Sequence, residues 1–430
     1  MLALTWFKAN ILMGGLMSKW ADKNAGYIFI LPAVIIIVLF SIAPIIGTLR
    51  YAFFDMQLND QSKNDMYTKS NINVVLNQET INYLNYYLSI DMDTVQNQDT
   101  IAKIDQIKKD ISALDLFISK EIATSDLRAV VQVGQEEQSA LVERQESIVN
   151  KLKELYAMDD EFYSPEDTMA VASEFETSII KSNFAGGDNF TKVLKDERVH
   201  STLKFTLIFT VISVFAELIF GLALALIMNK PFKGRSLLRT FSLIPWAIPT
   251  SVAALIWSYL YNGSSGIVSH IFTTIGLINS PASMLNSTRN ALGGIIIADV
   301  WKTTPYMALL LLGGLQVIPN SLYESSALDG ARKWQQFRYI TLPLLKPSIF
   351  VALLFRTLDA FRILDLIYVL TGGGPGGSTE SISLYAYKVM FSQTRFGYGS
   401  AIVLIMAMVV GIITFIYIKA LNVNLLGEKR

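Results

Sequence analysis

Cysteine is absent from the 430 residues, which excludes disulfides, thiolate metal sites and a cysteine nucleophile. Histidine is almost absent. Only His200 and His270 occur, far apart and outside any HExxH or His/Cys spacing, so no metal centre is expected. Charged residues make up only 17%, and Lys+Arg balance Asp+Glu at 36 each, so the total points to neither nucleic acid nor another polyanion. No Gly-Lys dipeptide exists. A Walker A loop needs that lysine to reach the phosphates, so the chain itself is not expected to hydrolyse ATP. What is abundant is apolar: 52% of residues are hydrophobic and the mean hydropathy is +0.39, well off the balance of a soluble domain.

Crossing a bilayer takes about twenty mostly apolar residues in a helix, which satisfies its own backbone. Six stretches qualify, at 27–49, 202–228, 237–260, 291–317, 347–370 and 398–420. The predicted fold class is therefore all-α: a polytopic membrane protein with about six transmembrane helices and a large, mainly helical extracytoplasmic insertion after the first. The first apolar patches are interrupted by Lys8, and 9–17 is too short to span. Residues 1–20 thus read as an interfacial helix, and no small-residue cleavage site follows them.

Lys and Arg set the orientation. Lys8, Lys19 and Lys23, then Lys230, Lys233, Arg235 and Arg239, then Arg332, Lys333, Arg338 and Lys346, then Lys419, Lys429 and Arg430 all fall on one side of six spans. The opposite short loops carry little more than His270, Arg289, Lys388 and Arg395. Both termini are therefore expected on the cytoplasmic side. The expected division is an N-terminal segment 1–26, a first span 27–51, an outer insertion 52–200, a five-helix core 201–421 with a cytoplasmic loop at 318–346, and a tail 422–430.

Inside the insertion, Ile104, Ile107, Ile111, Leu114 and Ile118 repeat at steps of three and four, and Leu141, Ile148, Leu152 and Leu155 do much the same. Two antiparallel helices turning near 124–126 or somewhat later would bury both stripes; a single long helix packed on a partner is the alternative. The Asn/Gln/Asp-rich stretch 59–100 shows no clear period, and part of it is expected to be mobile.

Charges inside spans face a polar cavity or each other, because burying one in lipid costs about 2.5–3.5 kcal/mol on insertion scales. The fourth predicted span holds Asp299 and Lys302; the fifth holds Arg356, Asp359, Arg362 and Asp365. At about 1.5 Å per residue, Lys302 and Asp359 approach mid-bilayer from opposite sides, where transporters tend to bind substrate. Lys302, Thr303 and Tyr306, with Arg356, Asp359 and Ile363 on one helix face, form a candidate site whose donors, acceptors and ring suit sugar hydroxyls. Equally open is a structural role, in which Asp299 neutralises Lys302 and Asp359 neutralises Arg356 or Arg362.

The most specific pattern lies between the fourth and fifth spans: Tyr323, Glu324, Ser325, Ser326, Ala327, Leu328, Asp329 and Gly330, then Ile340, Thr341, Leu342 and Pro343. Residues 323–331 read as a short helix with small side chains, ended or kinked at Gly330. The pattern resembles EAA, three residues, Gly, nine residues, I-x-L-P, the coupling loop of permease subunits in binding-protein-dependent ABC importers, with Ser325 and Ser326 in place of two alanines. Residues 243–249 (LIPWAIP), 323–331 (YESSALDGA), 355–379 (FRTLDAFRILDLIYVLTGGGPGGST) and 184–194 (FAGGDNFTKVL) are similar to the carbohydrate branch, relatives of the maltose and glycerol-phosphate permeases.

The resemblance implies that Glu324, Ser325, Ser326, Ala327, Asp329 and Gly330 engage a separate ATPase dimer, where ATP and Mg are bound. It also implies a bacterial inner membrane, a second permease subunit, an external sugar-binding protein or lipoprotein, and uptake of a sugar, a disaccharide such as trehalose or maltose being the expectation. Gly372, Gly374 and Gly377 also fit G-x-G-x-x-G, but they follow a membrane helix, enclose Pro375 and lack the lysine, so they read as a turn. A membrane sensor would account for the helical insertion but not for the later spans or the coupling pattern. An ion-coupled transporter would use the acids of the fifth span, and ATP dependence of uptake separates it from the leading reading.

Overall fold

The computed structural model describes residues 27, 29–122, 130–158 and 160–421. The interfacial segment expected at 1–20, the turn expected at 124–126 and the tail 422–430 lie outside the described residues. Among the described residues, five helices are long and apolar enough to cross a membrane: Phe29–Tyr51, Glu197–Asn229, Thr288–Val317, Lys333–Phe361 and Phe396–Ala420. A sixth crossing is assembled from Arg235–Ala247 and Thr250–Leu260, which meet at 90°. Numbered along the chain, the bent pair is the third span.

Two spans differ from the sequence reading. The third is broken because Pro249 has no N–H to donate and drives the residue before it out of helical conformation; Ile248 is extended, at φ −70 and ψ 134. The fifth begins well before 347, so the I-x-L-P residues Ile340, Leu342 and Pro343 lie inside it, and it stops at Phe361 rather than 370. The chain then leaves helical geometry at Arg362 and Leu364 before a short helix, Asp365–Leu370. Ile363 therefore does not share a helix face with Arg356 and Asp359.

The second, fourth and fifth spans make the core, through Phe209, Val214, Met307, Leu311, Leu345 and Ala352. Small residues let the backbones approach, as helix packing in lipid requires. A Cβ on Gly314 of the fourth span would lie 2.2 Å from Ser348 Oγ of the fifth. The first span buries none of its apolar stretch and lies against the sixth.

Between the first and second spans the chain builds a helical unit on a three-stranded antiparallel sheet. β1 (Asn71–Asn73) is central, pairing with β2 (Val130–Gln132) through Asn71↔Gln132 and with β3 (Ile179–Ile180) through Asn71↔Ile180. Both predicted stripes are buried, one on Gln98–Phe117 and the other on Gln135–Tyr156. Each fully buried Leu or Ile contributes about 1.5–3 kcal/mol.

Two further helices share that core, Val74–Thr94 and Pro165–Thr177. The first of them occupies the stretch expected to be irregular and partly mobile. Its buried side mixes Ile81, Leu84 and Leu88 with Asn77, Thr80 and Asp91, which masks the apolar period. The polar members are satisfied inside: Asp91 accepts from Tyr156 Oη and Tyr163 N, both at 2.7 Å, and Asn77 Oδ1 accepts from Gln145 Nε2 at 2.7 Å.

The base of this unit is clamped to the bundle by backbone. Phe54 pairs with Phe184 and Gln57 with Arg395 as antiparallel bridges. Gly397 N donates to Met56 O at 3.1 Å and Leu58 N to Thr394 O at 3.1 Å. Asn189 Nδ2 reaches Ala52 O and Phe54 O at 3.0 and 2.9 Å. A Cβ on Gly397 would fall 1.9 Å from Phe54 O, so only glycine fits where the sixth span begins.

Candidate functional site

A buried charge cluster joins three spans. Arg356, whose side chain is 1% exposed, holds Glu217 of the second span through Nε to Oε2 at 2.5 Å and Nη2 to Oε1 at 2.8 Å. Its Nη1 reaches Asp359 at 2.5 Å, and Nη2 lies 3.4 Å from Asp299 Oδ2. Ser213 Oγ sits 2.5 Å from Asp299 Oδ2 and 3.1 Å from Glu217 Oε1, and Thr303 Oγ1 donates to Glu217 Oε1 at 2.7 Å. Buried charge is tolerable only when paired and hydrogen-bonded, and this cluster meets that condition.

Arg356 and Asp359 pair as i, i+3, but Asp299 turns to Arg356 and Ser213 and not to Lys302. Arg362 stands 4.0 Å from Asp359. Sequence reasoning missed Glu217, although a lone acid within the apolar run 202–228 was a usable signal under the same rule that singled out Lys302.

Beside the cluster opens a cavity of about 220 Å³. Trp246 and Thr250 line it from the broken third span, Asp299, Lys302 and Thr303 from the fourth, and Arg356, Asp359 and Ile363 from the fifth span and the loop beyond. Five of the six predicted substrate residues therefore come together. The sixth, Tyr306, is not in the lining; it stacks behind Trp246, with ring centroids 5.6 Å apart and planes 13° apart. Lys302 Nζ donates to Ile248 O at 2.6 Å and Trp246 O at 3.3 Å. Asp359 is 64% exposed, which leaves an acceptor facing the cavity.

The coupling pattern forms the helix Asn320–Leu328. Gly330, at φ +82, ends it in a left-handed turn that other residues adopt at a penalty. Ala331 N closes onto Ser326 O at 2.9 Å. The helix docks on the start of the fifth span through Tyr323 Oη with Thr341 Oγ1 at 2.9 Å, and through Gln336 Nε2 to Tyr323 O at 3.1 Å and to Ser326 Oγ at 3.0 Å. Glu324, Ser325, Ala327, Asp329 and Gly330 are left exposed, and Leu328 is 90% exposed.

The glycine run after the fifth span is a turn, with Gly372, Gly373, Gly376 and Gly377 all at positive φ. Next to it Glu380, 1% exposed, pairs with Arg198 and Lys388, each at 2.8 Å. Asp196 caps the second span through Arg198 N at 2.8 Å and accepts from Tyr385 Oη at 2.8 Å and Tyr398 Oη at 2.5 Å. Burial alone would raise the Asp196 carboxyl, but hydrogen bonds from Tyr398, Tyr385 and the Arg198 and Val199 N–H groups outweigh it and hold it below 3.8. Burial, then the Asp196 hydrogen bond, pushes the Tyr385 phenol up to about 12.

Comparison with known proteins places this geometry. Residues 217–425 match the family described as binding-protein-dependent transport system inner membrane component. The trehalose/maltose transport system permease protein of Thermococcus litoralis is 46% identical over 56% of this chain and 81% of its own length. The trehalose transport system permease protein of Mycobacterium tuberculosis is 42% identical over 55% and 74%. A crystal structure of a bacterial ABC transporter involved in import of the acidic polysaccharide alginate aligns with TM-score 0.51 at 25% identity, covering 55% of this chain and 83% of that one. From Glu217 through the cavity and the exposed helix to the end of the sixth span, this chain belongs to the family of binding-protein-dependent transport system inner membrane components.

Proposed function

We propose that this chain is the membrane-spanning subunit through which an ATP-driven importer moves a sugar inward, a disaccharide of the trehalose or maltose type. The observation that carries the reading is the helix Asn320–Leu328: it is fixed to the fifth span on one side and bare on the other, with Leu328 at 90% exposure. An apolar tip rimmed by Glu324 and Asp329 suits the cleft of a separate ATPase subunit, where charge complementarity sets register. That ATPase dimer would bind ATP and Mg, and its closure would be passed to the fifth span through Tyr323 and Gln336. The loop 318–332 then faces the cytoplasm and the unit 52–200 faces outward, where it would contact an extracytoplasmic sugar-binding protein.

The cavity of about 220 Å³ is smaller than the roughly 300–1,000 Å³ of most ligand pockets. A second permease subunit would supply the remaining wall. Asp359 would accept a sugar hydroxyl, and Trp246 would offer a ring face. Glu324→Lys is expected to leave the complex assembled while ATP hydrolysis no longer drives uptake; undiminished, ATP-coupled uptake would remove the coupling role. Thermal shift of the cognate binding protein with trehalose and with maltose identifies the sugar, and a protein stabilised by neither would sink the disaccharide assignment.

A further inference from the structure

The 90° break in the third span leaves several carbonyls without their helical partners, Trp246 O and Ile248 O among them. In an unbroken helix Trp246 O would accept from residue 250 and Ile248 O from residue 252. Among the described residues no backbone N–H donates to either; the bonds near the break are Ile248 N to Ile244 O and Ala253 N to Pro249 O. Both orphans accept instead from Lys302 Nζ, at 3.3 and 2.6 Å. Among the described residues, no carboxylate oxygen lies within 4.0 Å of that ammonium, because Asp299 is held by Arg356 and Ser213. A cation there also meets the negative end of the half-helix Arg235–Ala247. The residue whose carbonyl it holds is Trp246, the aromatic face of the cavity, stacked on Tyr306 one turn further along the helix that carries Lys302.

We propose that Lys302 is a positioning residue: it replaces two of the hydrogen bonds lost at the break, those of Trp246 O and Ile248 O, and so fixes the Trp246 ring as the sugar-facing wall, without itself being a sugar ligand. The ring's placement stands on geometry alone, whereas its consequence for affinity rests on the transport reading given above. A methionine at 302 fills the same space but leaves both carbonyls unpaired, so the break relaxes and Trp246 leaves its stack. An arginine retains the donors and the charge.

The experiment uses the assembled transporter in lipid. The sequence has six tryptophans; with the other five, and those of the partner subunits, changed to phenylalanine, Trp246 reports alone. Without sugar, Lys302→Met is expected to raise acrylamide quenching of Trp246 about twofold or more, as a ring freed from its stack would, while Lys302→Arg is close to the parent. In the tryptophan-complete protein, Lys302→Met and Trp246→Ala are each expected to raise the KM of uptake by roughly tenfold with little change in maximal rate, and the double variant is no worse than either single one. Multiplying KM effects would overturn the proposal and make Lys302 a direct ligand. Unchanged quenching would overturn it too, whatever uptake does. Altered quenching with unaltered uptake would instead count against the cavity as the sugar's site and leave the positioning intact.

Discussion

One guanidinium with three carboxylates around it divides its partners by exposure. Glu217 is 0% exposed and held at two points, whereas Asp359 is 64% exposed and held at one. Removing a partner from a buried pair costs about 3–5 kcal/mol, because the other charge is stranded; losing an exposed pair costs about 0–1 kcal/mol. Glu217→Ala is therefore expected to deplete the protein from the membrane, and Asp359→Asn to leave abundance near normal while uptake falls. Quantitative blotting beside initial uptake rates checks both, and full uptake by Asp359→Asn would take that carboxylate out of the site. Lys302, Arg356 and Asp359 were legible in the sequence because charge in an apolar run has to be answered. The Arg356–Asp359 pairing, three residues apart on one helix, was legible too, but the remaining partners were not. Glu217 is 139 residues from Arg356, and Lys302 is answered by backbone oxygen, which no pairing rule between side chains can anticipate.

Among elements, the first, fourth and sixth spans stayed close to the apolar runs that marked them, and the others changed for reasons that hydropathy does not carry. The Pro249 break reshapes the third span. The fifth extends through polar residues that a hydropathy reading assigns to a loop, since a helix can project past the lipid once Tyr323 and Gln336 tie it to its neighbour. The second span starts earlier than apolar character implies because Asp196 caps it.

That cap has a pH signature. A carboxyl held below its unfolded value of about 3.9 contributes stability that is present above that pH and is lost as pH falls through the lower folded value. As pH falls below about 4 the native protein is therefore expected to lose thermal stability faster than Asp196→Asn, which cannot be protonated there. Parallel unfolding midpoints across that range would show that the carboxylate charge does nothing at this position.

For the molecule as a whole, the question is whether the large unit after the first span swings freely or moves with the bundle. The sequence located it and supplied two of its helices, but its attachment is written in backbone bonds and was invisible. Residues 54–58 run against 394–397 at the start of the sixth span and against 183–185 leading to the second. A load applied to this unit would therefore pass to two spans at once. The chain has no cysteine, so Gln57→Cys with Arg395→Cys introduces the sole thiol pair. Facing antiparallel residues have Cα atoms about 4.5–5.5 Å apart, inside the roughly 4.4–6.8 Å that a disulfide accepts. If the clamp stays closed throughout the cycle, the oxidised protein should take up sugar within about twofold of its reduced form, since a bond between parts that never separate removes little freedom. Uptake that stops on oxidation and returns on reduction would mean that the two sides part during every turnover, and the unit would then be a hinged flap rather than a lever fixed to the spans.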